Sequence, residues 1–209
     1  TYRSSLAPAQ ELAAELAAIS GTSAAVPCDQ RHPEDVQRAV SELQAGLGPI
    51  SLLVNNGAIF ERTPWESCTL EEWDRHMEIN VRGPWLFAQA LAPGMRAGGG
   101  CIVNMADITL ERPYPSYVPY CVSKAAVIGL TRTLAAAMAP EIRVNAIAPG
   151  TVEWPDDFPE ASREALLRKT PLGRTGTPED IAGAVLYLAA AEHVTGVVLP
   201  IDGGRCSAP

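Results

Sequence analysis

Apolar and polar positions fall along this chain in blocks whose period switches between that of a helix and that of a buried strand. Residues 7–18, APAQELAAELAA, carry the alanine and leucine content of a helix, and Gly21 follows as a stop. AAVPC (24–28) is short, apolar and followed by Asp29, which reads as a buried strand ending in a loop. Pro33 opens a helix to about Ala45, and ISLLV (50–54) is a second buried strand, broken by NNGA. A long helical region spans about 70–96, with an interruption expected at Gly83-Pro84. CIVNM (101–105) is a third strand, Tyr117 to Met138 a long helix, and IRVNAIA (142–148) a fourth strand before Pro149-Gly150. Helical segments near 160–169 and 178–190 precede GVVLPI (196–201), a fifth strand.

Short apolar strands alternating with helices predict one α/β domain, a doubly wound parallel sheet of Rossmann type. Ligands of such sheets bind beyond the carboxyl ends of the strands. Asp29, Asn55, Asn56, Asp107, Pro149 and Gly150 all lie just after predicted strands and are expected to converge on one crevice.

With 209 residues the chain is long enough to bury a core. Its 16 basic and 24 acidic side chains give a net charge of −8. That balance argues against a nonspecific grip on nucleic acid or an anionic membrane. The five cysteines show no C-x-x-C pair or metal-ligand spacing, so reduced thiols, no metal and a cytoplasmic setting are expected. No apolar run approaches about 18 residues, and no basic-then-apolar leader opens the chain.

The candidate chemistry lies in Tyr120-x-x-x-Lys124, a pairing that by itself reads equally as a structural tyrosine and a surface lysine. A phenol has an ordinary pKa of about 10, too high for ready proton exchange at neutral pH. An ammonium four residues on, on the same helical face, favours the phenolate and should lower that value. Asp107 stands 13 residues before the tyrosine. An ionised carboxylate there accepts hydrogen bonds only, which suits a substrate with N–H groups; the other reading is an Asx turn after a strand.

Along its whole length the chain resembles the short-chain dehydrogenase/reductase family. The resemblance rests on CD (28–29), NNGA (55–58), IN (79–80), YCVSK (120–124), RVNAIAPG (143–150) and VTGVVLPIDGG (194–204). Within the family the sequence is similar to pteridine reductases, through YRSS (2–5), Phe60, NMADITLERP (104–113) and APGTVEWP (148–155). Most members carry serine where Asp107 stands, the order Asn-Asn-Ala-Gly where this chain has Asn-Asn-Gly-Ala, and often threonine at the place of Trp154.

The resemblance implies NADPH-dependent hydride transfer with Tyr120 as proton donor. Lys124 would hold the nicotinamide ribose, Asn80 a water-linked relay, and Asp107 part of the proton supply. A helix-breaking polar residue near Gly83 is the plainer reading of Asn80. Arg3 and Ser4 would take the 2′-phosphate of NADPH, although Arg3 also reads as a solvated loop arginine. Asp29 would meet the adenine, Asn55 and Asn56 begin the cofactor-facing turn, and Pro149, Gly150 and Val152 lie along the cofactor, Val152 against its carboxamide. Phe60 would stack on a flat pterin or folate-like substrate, with Tyr117 and Trp154 in the same pocket; an ordinary core phenylalanine is the other reading of Phe60. A carbonyl or 3-oxoacyl substrate, or a non-catalytic binding module, are the alternatives. Family members commonly assemble as dimers or tetramers through helices such as 125–139. They begin with a strand, a glycine-rich turn and a helix ahead of YRSS, and 1–209 is expected to be a member lacking that first unit.

Overall fold

The computed structural model describes residues 1–154 and 158–207. Its helices are α1 (Leu6–Ser20), α2 (Pro33–Leu47), α3 (Leu70–Met77), α4 (Gly83–Gly98), α5 (Val118–Met138), α6 (Glu160–Arg168) and α7 (Pro178–Ala190). The strands β1 (Leu52–Asn55), β2 (Gly100–Met105), β3 (Ile142–Pro149) and β4 (Val198–Ile201) form one parallel sheet in the order β1-β2-β3-β4. Pro155 of the APGTVEWP motif lies outside the described residues.

Strand alternation distributes the core to both faces of the sheet. Ile102 and Val144 pack with Leu86, Leu91 and Met95 of α4 and Ala135 and Met138 of α5. Cys101, Val103 and Ile147 face the other way, onto Ala184 and Leu188 of α7. The sheet is thus doubly wound, and α5 spends its apolar length on β3. That helix is long and apolar enough to cross a membrane by length and composition, more than the sequence reading allowed, yet it buries Ser123, Lys124 and Thr131 within this fold.

A polar thread crosses the core. Asn55 Nδ2 donates to Asn104 Oδ1 (2.8 Å), Asn104 Nδ2 to Thr131 Oγ1 (2.9 Å), and Thr131 Oγ1 to the Val127 carbonyl (2.8 Å). It joins β1 through β2 to α5.

Three expectations are corrected here. AAVPC is not a strand of the sheet: it makes one parallel bridge, Tyr2 with Pro27, through Tyr2 N–H to Val26 O (3.1 Å) and Cys28 N–H to Tyr2 O (2.7 Å). A ladder needs a partner along its length, and among the described residues only Tyr2 supplies one. ISLLV begins its strand two residues late and is not buried, since Leu52 and Val54 are 36% and 37% exposed. The interruption of 70–96 precedes Gly83-Pro84. Residues Glu78–Arg82 form a π-helical turn, and Pro84 sits in the first turn of α4, which runs on directly from it.

Candidate active site

Two cavities divide the expected crevice. A groove of about 740 Å³ between the Tyr2–Pro27 bridge and β1 is lined by Arg3, Ser4, Asp29, Asn55 and Asn56. A second cavity of about 440 Å³ is lined by Phe60, Asp107, Tyr117, Tyr120, Gly150 and Val152. Ile59 faces the first and Phe60 the second, so the segment after β1 lies between them. The predicted site residues are therefore not gathered at one crevice.

In the second cavity Tyr120 Oη donates to Asp107 Oδ2 at 2.6 Å, while Asp107 Oδ1 accepts from the Thr109 N–H at 2.9 Å. Both readings of Asp107 hold together: one oxygen closes a turn and the other faces the phenol. β2 ends at Met105, the turn carries Asp107, and the first turn of α5 carries Tyr120, so two adjacent elements set the pair. Lys124, one helical turn on, is buried; its ammonium donates to the Met105 carbonyl at 2.7 Å and stands 5.8 Å from the Tyr120 ring.

Charge in this corner departs from the expected pattern. Burial first, and the Asp107 carboxylate second, push the Tyr120 phenol far above its ordinary value. Burial also raises the Asp107 carboxyl, against the opposing pull of the Tyr120 hydrogen bond. Lys124 is itself brought down to about 8 by burial, with Asp107 opposing. The expectation that Lys124 lowers the tyrosine is overturned for this state: desolvation and a closer carboxylate win over the ammonium. Tyr120 and Asp107 form a hydrogen-bonded pair in which burial favours the protonated form of each.

Phe60 is 49% exposed, which excludes the core reading. Its ring stacks on Tyr117 (4.4 Å between centroids, 3° between planes) and meets Tyr120 edge-on at 4.7 Å. One face expected for a flat substrate is thus taken by Tyr117. Trp154, in the same cavity, stacks on Phe158. Gly150 follows β3 where a Cβ would stand 2.9 Å from the Asp202 Cα, so no larger residue fits there without a shift.

Asn80, in the π-helical turn, clamps Ile59: its Oδ1 accepts from Ile59 N–H (2.9 Å) and its Nδ2 donates to Ile59 O (3.1 Å) and Ser123 Oγ (3.0 Å). Its hydrogen bonds go to Ile59 and Ser123 rather than to Lys124. The Asp29 carboxylate is held by the Arg31 guanidinium (2.6 Å), which brings its pKa down to about 2, and the Asn55 amide is spent on Asn104. Arg3 and Ser4 are exposed at the mouth of the groove.

Sequence reasoning missed Tyr114, Ser123 and Gln30. Tyr114 lines the cavity edge-on to Phe60, and its signal was the tyrosine at every third position, 114, 117 and 120. Ser123 stood inside YCVSK without a role; its hydroxyl donates to the Tyr120 carbonyl at 2.7 Å. Gln30 carried no signal.

The sequence profile described as Enoyl-(Acyl carrier protein) reductase matches residues 1–205. The chain belongs to the short-chain dehydrogenase/reductase family. It is 38% identical over 177 residues to the 3-oxoacyl-(acyl-carrier-protein) reductase FabG of Thermotoga maritima, covering 82% of this chain and 72% of that one. It is 37% identical over 207 residues to the D-threitol dehydrogenase of Mycolicibacterium smegmatis, covering 94% and 78%. The gluconate 5-dehydrogenase of Burkholderia cenocepacia, solved with NADP and tartrate, superposes with a TM-score of 0.87 at 34% identity, over 95% of this chain and 81% of that one. A particular likeness to pteridine reductases is not among these matches; the relatives named act on oxo compounds and polyols.

Proposed function

We propose that this oxidoreductase reduces a carbonyl group with NADPH, Tyr120 being the proton donor. The observation that carries the reading is the Tyr120–Asp107 pair at 2.6 Å, on a cavity wall and one helical turn from a buried lysine. Names of relatives support an oxo substrate: a 3-oxoacyl reductase and a gluconate 5-dehydrogenase. The groove offers a phosphorylated dinucleotide an exposed guanidinium at Arg3, a hydroxyl at Ser4 and an amide at Asn56, beside an apolar wall that includes Leu43, Leu53 and Leu91. When bound, the nicotinamide supplies the hydride.

The residues of the chain do the rest. Growing charge on the substrate oxygen draws the Tyr120 proton from Asp107 to that oxygen. Asp107, raised by burial, takes its protonated form more readily than a surface aspartate and can then donate as well. Lys124 holds the Met105 carbonyl at the end of β2 and keeps positive charge near the phenolate that forms. Phe60, Tyr114 and Tyr117 keep water from the reacting face.

A second reading, reduction of a dihydropterin C=N bond, is favoured by one observation: an ionised Asp107 presents an acceptor where a ring N–H needs one. NADPH oxidation measured with a 3-oxoacyl thioester, a vicinal diketone and dihydrobiopterin separates the two. Turnover of oxo compounds with none of the pterin is expected; turnover of the pterin alone would replace the first reading by the second. A dimer or tetramer through the outer face of α5, where Val122 and Gly129 are exposed, belongs to the same proposal, and light scattering tests it.

A further inference from the structure

Gln30 follows Asp29 in the loop after AAVPC, and its side chain lies over two pieces of backbone far away in sequence. Its Nε2 donates to the Gly57 carbonyl at 3.1 Å and to the Ile79 carbonyl at 2.9 Å. A primary amide has two N–H bonds, and both are used. The fit is close. A Cβ at Gly83 would stand 2.9 Å from Gln30 Cγ and Cδ, and one at Gly57 would stand 3.2 Å from its Oε1. Gly83 and Gly57 are glycines that leave room for this side chain.

The two carbonyls it holds belong to the segment after β1 and to the π-helical turn. The same two pieces are clipped together from the other side by Asn80, through both backbone groups of Ile59. Asn80 also receives no slack from α5, since its Nδ2 donates to Ser123 Oγ and Ser123 donates to the Tyr120 carbonyl. Phe60, next after the clipped residue, lies edge-on to the Tyr120 ring. A path of hydrogen bonds and one ring contact therefore runs from Gln30 to both the backbone and the ring of Tyr120.

We propose that Gln30 is a positioning residue for Tyr120: its carboxamide ties residues 57–59 to the π-helical turn so that Asn80 holds Ile59, and Phe60 with it, against the tyrosine. This rests on the reading of Tyr120 as the acid. The role predicts an effect on turnover and not on cofactor affinity, although Gln30 borders the nucleotide groove.

The test uses Gln30→Glu, which keeps length and shape but removes both donors. Gly83→Ala is the second variant, leaving the amide intact and displacing it. In each, kcat should fall roughly 2- to 12-fold, the worth of an ordinary hydrogen bond or two, with the KM for NADPH within about twofold. In the double variant Gln30→Glu/Asn80→Ala the loss should not exceed that of Asn80→Ala, because both act on one clamp. Independently of activity, hydrogen exchange should show the Ile59 amide losing about tenfold protection while the Ile147 amide in β3 keeps its own. Additive losses, a raised KM with unchanged kcat, or equal loosening at Ile59 and Ile147 would each overturn the proposal. Should the unmodified protein reduce neither oxo compounds nor dihydropterin, the assignment of Tyr120 fails, and the exchange at Ile59 still decides whether Gln30 holds the clamp.

Discussion

The region around Tyr120 and the region around Arg3 differ in how far they are enclosed. Around α5 and β3 the polar groups are enclosed and matched: Lys124 on Met105, Ser123 on Tyr120, Asn104 on Thr131, with Val144, Ala146 and Ile147 fully buried beneath. Around β1 the groove stands open, Leu52 and Val54 reach water, and the Tyr2–Pro27 bridge stands apart from the four-stranded sheet. Groups that must exchange a proton are fixed within a few tenths of an ångström, which burial and satisfied hydrogen bonds provide. On the proposed reading, the Arg3 guanidinium would tolerate more freedom, because charge acts over a longer range than a proton transfer.

That contrast is most severely tested by Tyr120→Phe. The ring and its packing against Phe60 stay, the proton goes, and kcat/KM should fall on the order of 10²- to 10⁴-fold with the circular dichroism unchanged. Turnover near normal would place the acid elsewhere. Asp107→Asn should cost less, roughly 10- to 150-fold, the worth of a hydrogen bond to a charged partner. Asp107→Ser sharpens the question of substrate: it supplies a hydroxyl donor, so carbonyl reduction should be kept or raised while any pterin turnover disappears. Loss of both activities in the serine variant would mean that the carboxyl itself is required.

Lys124 yields a smaller effect, read as stability against pH. Its folded pKa of about 8 lies below the ordinary 10.5, so between these values the unfolded chain binds more protons than the folded one. Stability of the native protein relative to Lys124→Met should therefore rise with pH from about 8 to 10.5, by at most about 3 kcal/mol. Urea unfolding at several pH values measures it; a flat difference would mean that the lysine titrates normally, and a falling one that folding raises its pKa. On the open flank, Arg3→Ala should weaken NADPH binding several-fold and NADH binding hardly at all, since a single exposed contact is at stake. Equal weakening of both by calorimetry would remove Arg3 from the 2′-phosphate.

How far the sequence foretold each flank follows from the same contrast. Periodicity located α2, α5, α7, β2 and β3 within a few residues because each has a buried face on a neighbour that the chain itself provides. It failed at AAVPC and ISLLV, whose apolar runs promise a buried strand while only Tyr2 and β2 supply partners. Tyr120 and Lys124 were legible as a pair from helical spacing, and Asp107 from the family resemblance. Their protonation was not, because it depends on depth: a lysine four residues on is no measure of how much water has been removed. Asn80 was recognised from IN, but its hold on Ile59 needed the π-helical turn, and Gln30 needed the fold entire.

The run of side chains from Asn55 through Asn104 to Thr131 has a consequence for how the molecule is assembled. Parallel strands make few distinctions among registers when both are lined by aliphatic side chains, and β1 and β2 supply Leu, Val and Ile on either hand. Shifted by one residue, β1 would turn the Asn55 carboxamide to the opposite face and leave Asn104 Oδ1 without its donor in a dry interior. The misaligned chain pays twice for a single slip, parting the Asn55 donor from its acceptor and the Asn104 Oδ1 acceptor from its donor. A line of amides can thus act as a proofreader of strand alignment.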